Sequence, residues 1–188
     1  MKISFRKVML KKRFPLAISR GISGDNYNAF IKIEDEDLVG WGESCPGKSE
    51  GAETAEEVIL QLNKLIEVGI KDKSIYEIES IAREMKISPS AYAGLDIALW
   101  DLKAKKAKLP LSELLGLPLP KSMTSLTIGI MSPESVKQRI PLLFENASTK
   151  FLKVKLGSPF GLEADKIMYN QVLESTKGYG LSLRVDAN

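Results

Sequence analysis

The sequence of 188 residues contains no histidine and a single cysteine, Cys45. Without histidine, this stretch of chain cannot supply Ser-His or Cys-His catalytic pairs or imidazole metal ligands. One cysteine can form neither an internal disulfide nor a cysteine-rich zinc site, which agrees with a reducing compartment. Any catalysis by these residues therefore uses carboxylates, lysines, tyrosines or the one thiol.

Long apolar runs and a strong charge imbalance are also lacking. No apolar run approaches the ~20 residues that a membrane-spanning helix needs, and no signal-peptide core follows Met1. The formal charge of +3, from 27 basic and 24 acidic side chains, is too small for the field that a nucleic-acid or membrane-surface binder uses. We therefore expect a cytoplasmic protein that binds neither nucleic acid nor membrane.

Hydrophobic periodicity divides the chain near Pro118 and Pro120. Before this boundary, three strand-like segments predict an antiparallel meander at 3–10, 27–33 and 38–43. Turn-rich segments at 15–26 and 45–51 are expected to be loops, and apolar stripes then predict helices from 53 to 116. After the boundary, strand and helix patterns alternate over 125–186, which indicates a parallel α/β sheet or barrel.

Two lysines alternate with apolar residues in the strand pattern at 150–156. Because a strand has a period of two, Leu152, Val154 and Leu156 face one way, and Lys153 and Lys155 face the other. In a buried strand, desolvation and like-charge repulsion disfavour the ammonium form, so that one lysine is able to accept a proton near neutral pH. The alternative is an edge strand whose lysines face solvent, and spacing alone slightly favours this alternative.

A carboxylate, Asp186, ends the next strand pattern. Active groups of α/β folds lie at the C-terminal ends of parallel strands, and carboxylate oxygens suit Mg²⁺. The alternative for Asp186 is a turn or helix-cap residue. Because consecutive parallel strands place Asp186 and the lysines at one end of the sheet, the residues together predict proton abstraction beside a bound cation.

Longer motifs connect these residues to a family. Residues 93–105, followed by 110–116, resemble the "ALDxALWDLxGK…PLxxLLG" signature of the muconate-lactonising and mandelate-racemase branch of the enolase superfamily. They depart from the signature at Gly94, where Ala is usual, and at Ala104, where Gly is common. The segment 153–155 is similar to the family's Lys-x-Lys motif, and 184–188 is similar to its "DAN" motif. The resemblance covers the whole chain.

The resemblance implies an α+β capping domain at residues 1–120. Residues 121–188 would then form the start of an α/β barrel of the TIM-like, modified β/α type, truncated after about three barrel strands. It also implies Mg²⁺ dependence and an enediolate mechanism. By analogy, Lys155 is the acid/base lysine, Lys153 tunes its basicity and helps to neutralise the substrate carboxylate, Asp186 is the first metal ligand and Asn188 supports the site. The remaining ligands and the opposite lysine lie on later strands in the family.

Within the superfamily, the resemblance favours epimerases of Ala-Glu type dipeptides, a small-molecule carboxylate substrate. Arg20 is expected to meet the far carboxylate of the dipeptide from its loop, and Thr127, on the first barrel strand, is expected to contact substrate. Arg20 as a surface arginine without a ligand remains an alternative. We expect a homo-oligomer at full length, and this fragment alone to be inactive and poorly stable.

Other functions remain open at this point. A muconate cycloisomerase or an o-succinylbenzoate synthase-like lyase uses the same lysine strand. A non-catalytic binding module that kept the capping domain is a third possibility. The dipeptide epimerase is favoured because the loop at 15–20 and the strand at 127–132 resemble those of dipeptide epimerases. The joint occurrence of Lys153, Lys155 and Asp186 argues against the binding module.

Overall fold

A computed structural model describes residues 1–187 of the chain. Its strands are β1 (Lys2–Leu10), β2 (Leu16–Ile18), β3 (Gly21–Ser23), β4 (Asn26–Asp35), β5 (Leu38–Ser44), β6 (Leu126–Ile128), β7 (Phe151–Lys155) and β8 (Ser182–Asp186). Its α-helices are α1 (Ala55–Glu67), α2 (Ile75–Glu84), α3 (Pro89–Ala107), α4 (Leu111–Leu114), α5 (Pro133–Phe144) and α6 (Leu162–Ser175), and a 3₁₀ turn occupies Lys48–Glu50. No helix within residues 1–187 is long and apolar enough to cross a bilayer.

The chain forms two compact units. The first contains Met1–Lys11 and Asp25–Leu119, and the second contains Lys12–Gly24 and the chain from Pro120 onward. The division into domains 1–120 and 121–188 stays a prediction. The compact units differ from it in assigning the segment between β1 and β4 to the second unit.

The first unit is an antiparallel sheet in the order β1-β4-β5, covered on one face by helices. Strand β4 alternates as expected, and its inward residues Ala29, Ile31 and Ile33 are fully buried. Helix α3 begins where the sequence predicted, because the hydroxyl of Ser88 accepts a hydrogen bond from the Ala91 backbone N–H and proline occupies the first helical position.

Strand β5 and helix α3 approach each other unusually closely. A Cβ atom on Gly40 would lie 3.0 Å from the backbone nitrogen of Leu102, and a Cβ on Gly42 would lie 2.8 Å from that of Ala98. Both glycines are thus required by backbone proximity. Gly94 faces β5 from the helix side in the same way, so glycines line both sides of this contact.

The second unit contains a parallel sheet in the order β6-β7-β8, with one face covered by α5 and α6. Residues from the sheet and both helices form its core, and the fully or almost fully buried members are Ile128, Val136, Ile140, Leu152, Val154, Met168 and Val172. This alternation of strands and helices is the one predicted from the sequence, and it is the βαβ arrangement from which barrels are built.

The segment expected to be a loop at 15–26 contains a hairpin. Strands β2 and β3 pair antiparallel, with Leu16 opposite Ser23 and Ile18 opposite Gly21, and Ser19 and Arg20 form the turn between them. Strands of three residues are too short to show a periodic pattern, which is why the sequence did not predict them.

Candidate active site

The face of the parallel sheet opposite the helices carries the polar side chains. On β7, Leu152 and Val154 are fully buried against α5 and α6, and Lys153 and Lys155 point to the other face. Strand β7 is the central strand of the three. The alternative of a solvent-facing edge strand is therefore wrong, because β6 and β8 pair with β7 on both sides.

Asp186 lies directly beside the lysines. The parallel register aligns Lys155 with Asp186, and Lys155 Nζ is 2.9 Å from Asp186 Oδ2. Lys153 Nζ is 3.4 Å from the same oxygen. Lys155 is the least accessible of the three, with 15% of its side chain exposed against 30% for each of the others. The structure thus brings together the two lysines and the carboxylate that the sequence singled out.

A second row of polar residues crosses the same face one step closer to the N-terminal end of the strands. Thr127, Lys153 and Arg184 are aligned across β6, β7 and β8, and Thr127 is half-buried. Arg184 donates a hydrogen bond to the hydroxyl of Ser125. Neither Arg184 nor Ser125 was predicted from the sequence to belong to the site, although the period of two in β8 puts Arg184 on the face of Asp186.

Arg20, the predicted substrate contact in the hairpin, lies in the exposed turn between β2 and β3. The hydrogen bonds and ion pairs of residues 1–187 do not link it to the lysines or to Asp186. Asn188, the predicted supporting residue, lies outside the described residues. The roles of these residues stay predictions.

An apolar cavity of about 580 Å³ lies within the second unit, at the C-terminal ends of β6 and β7. The hairpin, the loops that follow these two strands and the first turns of α6 line it. Its large apolar residues are Ile18, Ile22, Ile130, Met131, Phe160, Ile167 and Met168. This cavity could not be predicted from the sequence, because its walls come from four separate segments of the chain.

A divalent cation would find one suitable ligand on the polar face. The Asp186 carboxylate, at the C-terminal end of β8, has the oxygen donors that such cations prefer. Within residues 1–187, however, no three acidic, cysteine or histidine side chains are grouped so that they could hold a metal ion. Asp186 therefore fits as one ligand of a site whose other ligands are not among the described residues.

Comparison with known proteins agrees with this geometry. The family model described as "Mandelate racemase / muconate lactonizing enzyme, N-terminal domain" matches residues 1–116. A hydrophobic dipeptide epimerase from Flavobacteria bacterium (strain MS024-2A) is 56% identical over 188 residues, covering 100% of this chain and 54% of that protein. This chain thus spans about half the length of the relatives that it matches.

Solved structures give the same result. The dipeptide epimerase from Enterococcus faecalis V583, crystallised with Mg and the dipeptide L-Leu-L-Tyr, superposes with a TM-score of 0.84 at 30% identity and covers 99% of this chain and 52% of that one. The dipeptide epimerase from Cytophaga hutchinsonii, crystallised with Mg and D-Ala-L-Val, gives a TM-score of 0.81 at 26% identity over 99% of this chain and 51% of that one. The expected fold, a capping domain followed by the first strands of a barrel, is confirmed. The chain belongs to the mandelate racemase/muconate lactonizing enzyme family of the enolase superfamily.

Proposed function

We propose that the full-length protein is an isomerase that removes and returns the proton on the α-carbon of a dipeptide. The observation that carries this proposal is the position of Lys155 on the central strand, 2.9 Å from Asp186 and largely shielded from solvent. A lysine held beside a carboxylate at the C-terminal end of a parallel sheet is suitably placed for acid/base chemistry on a bound substrate.

In this proposal Lys155 exchanges the α-proton, and Lys153 attracts the substrate carboxylate from the adjacent position on the same strand. Asp186 contributes one ligand to a Mg²⁺ site. When bound, the cation supplies positive charge that offsets the negative charge developing on the substrate carboxylate. Lys153 and Arg184 add further positive charge to this face, which favours an anionic substrate.

For the substrate class, we propose a dipeptide with apolar side chains. The relative that is 56% identical is named a hydrophobic dipeptide epimerase, and the cavity beside the hairpin is lined mainly by aliphatic and aromatic side chains. The sequence, through Arg20, instead predicted an Ala-Glu type dipeptide. A panel that contains both classes separates the two, since apolar burial favours one and charge pairing with Arg20 favours the other.

The test is α-proton exchange into deuterated water by the full-length protein, followed by NMR or mass spectrometry. We expect Lys155→Ala to lower exchange roughly a hundredfold or more on at least one face of the substrate, which is the usual contribution of a general base. Lys155→Arg keeps a positive charge beside Asp186 and is expected to be equally impaired, because a guanidinium does not accept the proton.

The matched control is Lys166→Ala, which removes a lysine from the exposed surface of α6, where it pairs with Glu163. We expect it to exchange at the wild-type rate. Undiminished exchange by Lys155→Ala on both faces of the substrate would overturn the role proposed for Lys155. Turnover of a muconate or a succinylbenzoate precursor instead of dipeptides would replace the epimerase by the cycloisomerase or lyase alternative on the same scaffold.

Two further expectations belong to the full-length protein. We propose a cytoplasmic location, in keeping with the one exposed cysteine, Cys45, of these 188 residues, which contain no second cysteine to pair with it. We also expect a homo-oligomer, and light scattering coupled to size-exclusion chromatography gives its mass directly. A monomeric mass would contradict this expectation.

A further inference from the structure

The base of the hairpin formed by β2 and β3 lies directly against the C-terminal end of β6. The backbone N–H of Ile130 donates a hydrogen bond of 2.9 Å to the carbonyl oxygen of Ala17 on β2. Both segments belong to the second compact unit. The hairpin therefore continues the hydrogen bonding of β6 at Ile130, two positions after Ile128, the last residue of the strand.

Gly129 makes this close approach possible. A Cβ atom at residue 129 would lie 2.7 Å from the carbonyl oxygen of Ala17, 2.9 Å from its nitrogen and 3.1 Å from Leu16 Cδ1. The two nearest atoms are backbone atoms, so a side-chain rotation on β2 cannot relieve the overlap. Gly129 is not among the glycines with positive φ. The glycine is thus required by the position of the hairpin and not by its own backbone conformation.

The residues just before the hairpin, Arg13 and Phe14, make contacts on the surface of the second unit. The guanidinium carbon of Arg139, on α5, is 3.9 Å from the centre of the Phe14 ring, and Arg13 Nη2 is 2.9 Å from Glu145 Oε2. Arg13 and Glu145 are more than half exposed, and such ion pairs contribute little to stability. These contacts attach the chain ahead of the hairpin, whereas the backbone contact at Gly129 fixes the hairpin itself.

We propose that Gly129 is a positioning residue for the substrate, which holds the hairpin so that Ile18, Ile22 and the Ser19–Arg20 turn keep a fixed place at the C-terminal end of β6. This inference rests on the proposed function, because it assumes that the hairpin contacts the dipeptide. Gly129 touches no reacting atom. It acts through the backbone of Ala17, and its replacement is expected to weaken substrate binding more than the proton transfer itself.

The test compares Gly129→Ala with Gly24→Ala in the full-length enzyme. Gly24 follows the same hairpin, but a Cβ atom there would meet nothing within 4 Å and its φ is not positive. We expect Gly129→Ala to raise the KM for dipeptides about tenfold, the order of effect of one lost hydrogen bond with its ordered partners, and to leave kcat within about threefold. Gly24→Ala is expected to match the wild type.

Amide hydrogen exchange provides a readout that does not depend on activity. In Gly129→Ala, the peptides that contain Ala17 and Ile130 are expected to exchange faster than in the wild type, because the hydrogen bond between them opens. The same peptides are expected to be unchanged in Gly24→Ala. If the wild-type enzyme turns over no dipeptide, the proposed function fails, and hydrogen exchange still decides whether Gly129 fixes the hairpin.

Unchanged exchange at Ala17 and Ile130 in Gly129→Ala would overturn the inference, and so would faster exchange with an unchanged KM. If Gly129→Ala does not fold, Ile130→Pro is compared with Ile130→Ala, because proline lacks the N–H that donates to Ala17 and alanine keeps it. We expect the KM of Ile130→Pro to be about tenfold above that of Ile130→Ala, the order of effect of one lost hydrogen bond. Equal KM values for the two variants would then contradict the proposal.

Discussion

Replacing Gly94 by alanine provides a sensitive test of the packing in the first unit. Gly94 lies inside helix α3, where a glycine is typically about 1 kcal/mol less favourable than alanine. Alanine is also the usual residue of the family motif at this position. Helix propensity and family resemblance therefore both predict that Gly94→Ala stabilises the protein.

The structure predicts the opposite sign. A Cβ atom on residue 94 would overlap with Ser44 Oγ, and it would lie 2.7 Å from Ile31 Cδ1 and 3.0 Å from the carbonyl carbon of Glu43. Moving β5 away from α3 would open the close contact that Gly42, on the same strand, makes with the backbone of α3. Overpacking of a core costs about 1–3 kcal/mol. After the gain of about 1 kcal/mol in helix propensity is subtracted, we expect Gly94→Ala to lower the free energy of unfolding by up to about 2 kcal/mol.

The assay is urea unfolding of the full-length protein and its variants, followed by circular dichroism. Ala93→Gly, at an exposed position of the same helix, measures the propensity effect alone and is expected to destabilise by about 1 kcal/mol. Ser44→Ala removes the nearest atom in the overlap. The double variant with Gly94→Ala is expected to be more stable than the sum of the two single effects predicts. If Gly94→Ala stabilised the protein by the full ~1 kcal/mol of helix propensity, the steric argument would be refuted.

The remaining predictions concern two carboxylates and one core residue. A hydrogen bond from Lys106 and the N-terminal ammonium group of Met1 lower the pKa of Asp35 to about 2. Because this folded-state pKa lies below the unfolded value of about 3.9, the stability that Asp35 contributes is present above pH ~4 and is lost towards pH ~2, and acid unfolding of Asp35→Asn should lack that loss. Burial, and to a smaller extent the charge of Glu79, raises the pKa of Asp96, so that ionisation of Asp96 at neutral pH opposes folding. Asp96→Asn is therefore expected to raise the melting temperature at pH 7, and the melting temperatures of variant and wild type are expected to differ less in acid. Leu152→Ala, at a fully buried position, should lower the free energy of unfolding by about 2–5 kcal/mol in the urea assay, and a change below 1 kcal/mol would contradict its place in the core.

Local patterns predicted most of the elements. The serine before Pro89 predicted the start of α3, and the apolar alternation at 150–156 predicted the strand observed at Phe151–Lys155. Such signals work because a cap and a period of two depend only on neighbouring residues. The order of the strands in the sheet depends on distant parts of the chain. The sequence alone therefore favoured an edge strand for Lys153 and Lys155, whereas β7 lies in the centre.

Those parts of the candidate site that depend on strand periodicity could be predicted from the sequence. Lys155 and Asp186 were expected to be close because equivalent positions on consecutive parallel strands lie side by side, and the register confirms their proximity. The requirement for glycine at residue 129 could not be predicted in this way. Its cause is the backbone of Ala17, more than a hundred residues earlier, and no local pattern in the sequence indicates that contact.

The charges on the polar face of the parallel sheet constrain how the site works. Lys153, Lys155 and Arg184 carry three positive charges on this face, and Asp186 carries one negative charge. The excess of positive charge favours an anionic substrate but opposes the binding of a divalent cation through Asp186 alone. A Mg²⁺ site here therefore needs further carboxylates to offset the positive charge of the lysines. We expect these ligands in the part of the protein that corresponds to the half of the relatives not matched by this chain. In the proposed function, the described residues would thus supply substrate attraction and proton transfer, but only one ligand of the metal site.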